Sequence, residues 1–528
     1  MPSSWSTPQA LSDREKRVLK LCKKRPLYRF LRVNRHLIFD DEMVTALRAM
    51  YTGIGRPPED PVRLAMAMIL QVAFNEADSE VPTLTATELR WRMVLDLLDA
   101  PEEPAFSQGT VFNFRLRSIE HGFAKKLLDK TVQVARATKG FSHKRLRAVI
   151  DSSPLLGAGR VEDTINLIGH AIGQLVQVAA MEAERDAADL ADELLVTVAS
   201  PSSVKAALDV DWRKPEARKK ALNMLIEQFR RLENWLGEQF TVEERGTPPL
   251  SESIDTVLRL IDQDTEPDPD DPATGPYRIR ENKDSDGKRD RQVSLSDPDM
   301  RNGRKSKAKL FAGYKRHVVA DADVPGLVSA VAVLAANHRE HEAAEPLLEE
   351  LEASDWTLEE LHGDRGYMPS EAIHERRRAG LRVLSKPPTS RRNDGFGKYD
   401  FDIEFDARTA TCPGGQTVRV TPAGYAYFAR TVCAACPHSA VCLPKSGKRS
   451  LQLHPNEQFF RETAAELATP EGRAARRERT VVEHALAHVG AIQGTRAKFL
   501  GLDKNLFDLQ RVAAVNNLYV INRLLEAA

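Results

Sequence analysis

Apolar positions keep a helical period through the first 140 residues. Val62, Ala65, Met66, Ile69, Leu70 and Ala73 form one stripe, and Leu89, Met93, Val94 and Leu97 another. Spacings of three and four put such side chains on one helix face. Gly55-Arg56-Pro57-Pro58-Glu59-Asp60-Pro61 supplies a turn and a helix start before the first stripe. Ser107 is placed to cap a helix over about 109–123, which carries Asn113, Arg115, Arg117 and Ser118 among Val111, Phe112, Leu116 and Ile119. Helix, turn and helix with a polar, basic face is compatible with reading DNA, and equally with a solvated helical bundle.

The period then shortens. Residues 145–151 read as a short buried strand whose end, Ile150-Asp151-Ser152-Ser153, presents one carboxylate. Residues 162–240 return to helix. An acidic, proline-rich run over 262–272 predicts a disordered linker, so 160–275 reads as an insertion. Strand patterning resumes over 311–320, with a turn at 321–326 and an antiparallel partner at 327–334. A helix over 340–353, a strand at 358–361 ending in Gly363-Asp364-Arg365-Gly366-Tyr367, a helix over 370–379 and a strand at 381–384 follow. The fold class is mixed α/β. Residues 393–453 favour Gly, Thr, Cys, Pro and aromatics. From 457 the chain is helical, with Leu506, Leu509, Val512, Ala513, Asn516 and Val520 on a long last helix.

Length and charge narrow the picture. At 528 residues the chain exceeds one core, and its apolar runs are broken by charge before a bilayer-spanning length. No secretory signal is visible, so the expectation is a cytoplasmic protein with no membrane role. The formal net charge is zero, which argues against a uniformly basic nucleic-acid binder but allows local patches. Such patches exist: Arg301, Arg304, Lys305, Lys307, Lys309, Lys315 and Arg316; Arg376, Arg377, Arg378, Lys386, Arg391 and Arg392; and Arg473, Arg476, Arg477 and Arg479.

Four of the five cysteines, Cys412, Cys433, Cys436 and Cys442, fall together with one Cys-x-x-Cys. In a reducing compartment this pattern favours a structural Zn²⁺ that staples a small loop-rich insert, with partly buried free thiols as the alternative. Asp151, Asp364 and Glu483 are acids on separate elements. If they converge, they can hold two Mg²⁺ or Mn²⁺ ions for phosphoryl transfer. Arg476, Arg479 and Glu483 are spaced for one stripe of one helix.

The motifs also occur in a telling order. Ile150-Asp151-Ser152-Ser153, Asp297-Pro298-Asp299-Met300-Arg301-Asn302-Gly303-Arg304-Lys305-Ser306-Lys307, Phe311-Ala312-Gly313-Tyr314-Lys315-Arg316-His317, Ala336-Asn337-His338, Gly363-Asp364-Arg365-Gly366-Tyr367 and Arg479-Thr480-Val481-Val482-Glu483 resemble the signatures of bacterial insertion-sequence transposases of the DDE class. The resemblance covers most of the chain outside 160–275. It implies a helical DNA-binding region over 1–140 and an RNase H-like core assembled from 141–159, 276–392 and 454–528. The core would be interrupted by the helical insertion and by a cysteine-rich insertion over 393–453.

By the same resemblance Asp151 bridges both metal ions, Asp364 binds one and Glu483 the other. The reaction is cleavage at transposon ends and strand transfer into target DNA. DNA contacts fall to Asn113, Arg115, Arg117, Arg304, Lys305, Lys307, Lys315, Arg316, Arg365, Arg476, Arg479, Arg496 and Lys498. The partners are terminal inverted repeats, target DNA and a second copy of the chain on the bacterial nucleoid. Related transposases often carry Tyr and Lys on the last helix where this chain has Arg476 and Gly490. Two other readings stay open: a nuclease of the same fold that mobilises nothing, and a zinc-containing DNA-binding regulator without catalysis.

Overall fold

The computed structural model describes residues 5–51, 60–140, 145–199, 203–214, 216–269, 275–280, 290–306, 308–354, 356–388, 395–444 and 447–527. The turn expected at 55–59, Lys307, Arg391 and Arg392 lie outside them.

The N-terminal region is helical, as its periodicity requires. It includes α1 (Pro26–Ile38), α2 (Pro61–Phe74), α3 (Gln108–Glu120) and α4 (Phe123–Thr138). Asp60 caps α2 by accepting from the Val62 amide at 3.1 Å, and Pro61 opens it, where a missing N–H costs nothing. α2 is apolar nearly all round and, apart from half-buried Arg63, is buried from Pro61 to Val72. Ser107 caps α3 by accepting from the Thr110 amide at 3.1 Å. These helices share one core with the central sheet and the last helix.

The sheet begins with β1 (Arg145–Leu156). The insertion then folds around a core of its own, built on α5 (Thr164–Glu182), α6 (Ala217–Gln239) and α7 (Leu250–Asp264). α5 is long and apolar enough to cross a bilayer by length and composition, but 67% of its most apolar stretch is buried inside the protein.

β2 (Arg301–Arg304), β3 (Leu310–Asp321) and β4 (Val328–Ala335) follow, then α8 (Ala344–Ala353), β5 (Thr357–Gly363), α9 (Glu371–Arg378) and β6 (Arg382–Ser385). β3 runs antiparallel to β1 on one edge. Its other edge is shared by β2, from Leu310 to Gly313, and β4, from Tyr314 to Ala320. β5 and β6 run parallel beyond β1. The sheet is therefore mixed, with β1 at its centre.

The cysteine-rich region holds a three-stranded sheet (Asp402–Glu404, Thr409–Thr411, Thr417–Arg419) and a pair (Tyr425–Tyr427, Ser450–Gln452) around a small core of Phe401, Ile403, Ala410, Ala426, Phe428 and Leu451. α10 (Glu457–Ala468), α11 (Pro470–Arg477), α12 (Thr480–Gln493) and α13 (Leu502–Ala527) complete the chain. Asn517 on α13 donates to Thr131 of α4 and to the Val328 carbonyl of β4, tying three elements at one buried point.

Three local expectations change. The first strand does not end at Asp151. It runs to Leu156, because β3 continues to pair with it after β5 has stopped. The described part of 262–272 is ordered. Asp264 is buried against Arg291 and Thr164, Asp268 pairs with Lys219 at 2.9 Å, and Thr265–Pro267 forms a hairpin with Tyr277–Ile279, so these acids have partners that composition alone does not reveal. Lastly, Arg476 and Glu483 are on different helices. Between them Arg479 and Val481 make i→i+3 bonds, to Arg476 and Glu478, that interrupt the α-helical ladder.

Candidate active site

The site is built on the parallel β1–β5 ladder. Arg147 pairs with Glu360, Ala148 with Leu361 and Val149 with His362. Alternate residues of a strand share a face. Asp151 and Asp364 each lie two residues beyond the last pair, so the same face presents them level with each other. Asp151 continues within β1, while Asp364 starts the turn after β5. Gly363 sits close to Ile150: a Cβ there would meet the Ile150 side chain at 3.1 Å, which a small residue avoids.

Each aspartate is fixed by the amide that follows it. Asp151 Oδ1 accepts from Ser152 N and Asp364 Oδ1 from Arg365 N, both at 2.8 Å. Arg479 then spans the two. One guanidinium nitrogen donates to Asp151 Oδ2 and the other to Asp364 Oδ1, both at 3.2 Å. Burial pushes the Asp151 carboxyl above the usual aspartate range, and the nearby Asp364 charge adds to this, against the pull of Arg479. Burial works against the Arg479 charge, but Asp151, Asp364 and Glu483 together hold its guanidinium more basic than usual. Glu483 lies one helical turn after Arg479 on α12 and is exposed. The donor set is three carboxylates, the hard oxygen ligands that suit Mg²⁺ or Mn²⁺.

The residues expected to meet DNA divide by exposure. Asn113, Arg117, Arg304, Lys305, Arg476, Arg496 and Lys498 are exposed; Arg365 and Lys315 are half-buried. Arg115 and Arg316 are buried instead. Arg115 pairs with Asp78. Arg316 donates to Ser153 at 2.7 Å, to Gln493 at 2.8 Å and to the Gly494 carbonyl at 3.0 Å, which commits its guanidinium to joining β1, β3 and the end of α12. A Cβ added at Gly490 would lie 3.1 Å from that guanidinium, so this position is closed over Arg316.

The four clustered cysteines line one cavity of about 530 Å³ with His438. Cys412 Sγ accepts from the Gln416 amide at 3.3 Å. A Cβ on Gly414 would meet Cys436 Sγ at 2.9 Å and Cys412 Sγ at 3.7 Å, so the glycine leaves both sulfurs room. The Cys433 thiol is pushed up by burial and by Cys442, Cys412 and Cys436, a mutual repulsion that a bound cation would relieve.

Two groups had no role in the sequence reading, although Asp297 and Asp299 belong to one of its motifs. Asp297 and Asp299 belong to a clasp on the last helix: Asp297 accepts from Tyr314 and from the Gly501 amide, and Asp299 from the Leu502 amide. Glu360, His362 and Glu478 bring one potential ligand atom each to within 4.8 Å of one another beside the aspartates. The polar alternation Glu360, His362, Asp364 along and just beyond one strand was the available signal.

Two family models match the chain. Residues 411–522 match a transposase DDE domain, and residues 19–117 match a transposase domain (DUF772). The first match holds the cysteine cluster, Arg479 and Glu483; the second holds α1, α2 and most of α3. No curated protein and no solved structure is significantly similar to the chain.

Proposed function

We propose that the chain is a DDE transposase that cuts DNA at transposon ends and joins them to target DNA, and both matched segments support a transposase role. The observation that carries the reading is the level placement of Asp151 and Asp364 on neighbouring parallel strands, with Arg479 across both and Glu483 one turn away. The arrangement of an antiparallel β3–β4 hairpin on one side of β1 and parallel β5 and β6 on the other supports an RNase H-like core.

Asp151, Asp364 and Glu483 would hold two Mg²⁺ or Mn²⁺ ions, which supply charge stabilisation on the attacking and leaving oxygens of the scissile phosphate. The chain's own residues then position. The backbone amides of Ser152 and Arg365 orient one oxygen of each aspartate. Arg479 carries a planar fork of donors that suits a phosphate as well as a carboxylate. Arg304, Lys305, Arg476, Arg496 and Lys498, and Asn113 and Arg117 on α3, would meet the DNA backbone, and their exposure supports this. Cys412, Cys433, Cys436 and Cys442 would hold a structural Zn²⁺, with no open position for catalysis. Two copies acting on two ends, on the nucleoid in the cytoplasm, complete the proposal.

The test uses the full chain with linear DNA bearing the inverted repeats that flank its gene, plus a target plasmid. Mg²⁺-dependent nicks at the repeat termini and joined products support transposition. Cleavage without joining favours the stand-alone nuclease. Binding without any cleavage favours the regulator.

A further inference from the structure

Glu360, His362 and Glu478 could be taken for a second metal site, but two guanidinium groups are already among them. Arg147 on β1 reaches Glu360 at 3.1 Å and also pairs with Glu478. Arg382 on β6 reaches Glu360 at 2.8 Å and Glu466 of α10 at 2.6 Å. His362, 1% exposed, contacts Glu360 at 2.5 Å and lies 4.0 Å from Glu478. Two carboxylates neutralised by two arginines have little left to offer a divalent ion.

The arrangement has an order that a metal site would not need. On one sheet face, Arg147, Glu360 and Arg382 form a row, since Arg147 pairs with Glu360 and Glu360 with Arg382. Asp151 and Asp364 form a row four residues further along the same strands. The junction between α11 and α12 lies across both rows with two consecutive residues. Glu478 takes the cationic row through Arg147, and Arg479 takes the anionic row through Asp151 and Asp364. A slip of one residue in one direction would set Glu478 against the aspartates and Arg477 against Arg147, and in the other would set Arg479 against Arg147; each is repulsive. The interrupted helical ladder at this junction leaves it without a continuous helix to set its register.

We propose that Glu478 is a positioning residue: by seating on Arg147 and beside His362 it sets the register of the α11–α12 junction, and through it the places of Arg479 and Glu483 over Asp151 and Asp364. This rests on the proposed function for its catalytic consequence, but not for its structural one.

The experiment compares full-length wild type, Glu478→Ala and Glu478→Asp in two measurements. In hydrogen–deuterium exchange without divalent ions, Glu478→Ala should speed exchange of the amides of 479–484 at least tenfold and leave α13 unchanged, with Glu478→Asp in between. In Mg²⁺-dependent cleavage of end DNA, kcat should fall at least tenfold while KM for DNA stays within twofold, and Glu478→Asp should recover part of the loss. Unchanged exchange at 479–484 overturns the proposal. So does faster exchange spread over the whole sheet, or a wild-type kcat in Glu478→Ala. A wild-type chain that cleaves nothing overturns the proposed function instead, and the localised change in exchange still supports the register role.

Discussion

Val149 pairs with His362 as the last rung of the parallel β1–β5 ladder, and this pair sets Asp151 and Asp364 level two residues further on. The two carboxylates therefore need no loop to bring them together. Their charges repel, and Arg479 lies between them.

Asp151 is the carboxylate whose charge burial opposes most clearly in this site. Asp151→Asn should thus raise the melting temperature in the presence of chelator. Added Mg²⁺ should stabilise wild type by preferential binding to the folded state, and Asp151→Asn much less. Thermal melts with and without Mg²⁺ check both. Equal Mg²⁺ stabilisation of the two proteins would count against Asp151 as a ligand.

Removing Arg479 should act on two quantities. Arg479→Ala takes away a cation that shares oxygens with any bound metal, so the Mg²⁺ concentration for half-maximal cleavage should fall. The maximal rate should fall about 100-fold, the scale of losing a charge-stabilising donor. A Mg²⁺ titration of single-turnover cleavage reads both. A higher Mg²⁺ requirement would show that Arg479 helps to hold the site open for metal.

Arg316 and Arg476 should separate stability from DNA contact. Arg316→Ala leaves Ser153, Gln493 and the Gly494 carbonyl without their buried donor, and should cost about 2–4 kcal/mol in denaturant unfolding with no change in the salt slope of DNA binding. Arg476→Ala, at an exposed position, should leave stability within about 0.5 kcal/mol and make the salt slope shallower by about one.

Glu350 on α8 gives the fold a pH dependence. Burial raises its carboxyl from 4.5 to about 7, with Lys125 of α4 opposing the rise and Asp129 adding to it. A group raised on folding stabilises when protonated. Its contribution is complete below about 4.5 and is lost as pH climbs through about 7. The stability of Glu350→Gln relative to wild type should therefore increase across that window and level off above it, as melts from pH 4.5 to pH 8.5 would show.

The strands at 311–320 and 327–334 were legible because two short runs rich in β-branched and aromatic residues flank the turn at 321–326. Asp151 and Asp364 were legible as acids at strand positions. Their level register was not, because it depends on which strands pair. The burial of Arg316, expected to be a DNA contact, was not legible for a related reason. Its neighbours in the chain, Lys315 and Lys309, are basic, and nothing local shows that β3 turns Arg316 towards α12. The row of Arg147, Glu360 and Arg382 joins three strands far apart in sequence and exists only once they pair.

In the proposed reaction Asp151, Asp364 and Glu483 act together on phosphodiester bonds. Single-turnover cleavage of end DNA in Mg²⁺ by Asp151→Asn, Asp364→Asn and Glu483→Gln tests it most directly. Each should lose at least about 1,000-fold, with DNA binding within about twofold of wild type. Cleavage near the wild-type rate by any one of the three would contradict it.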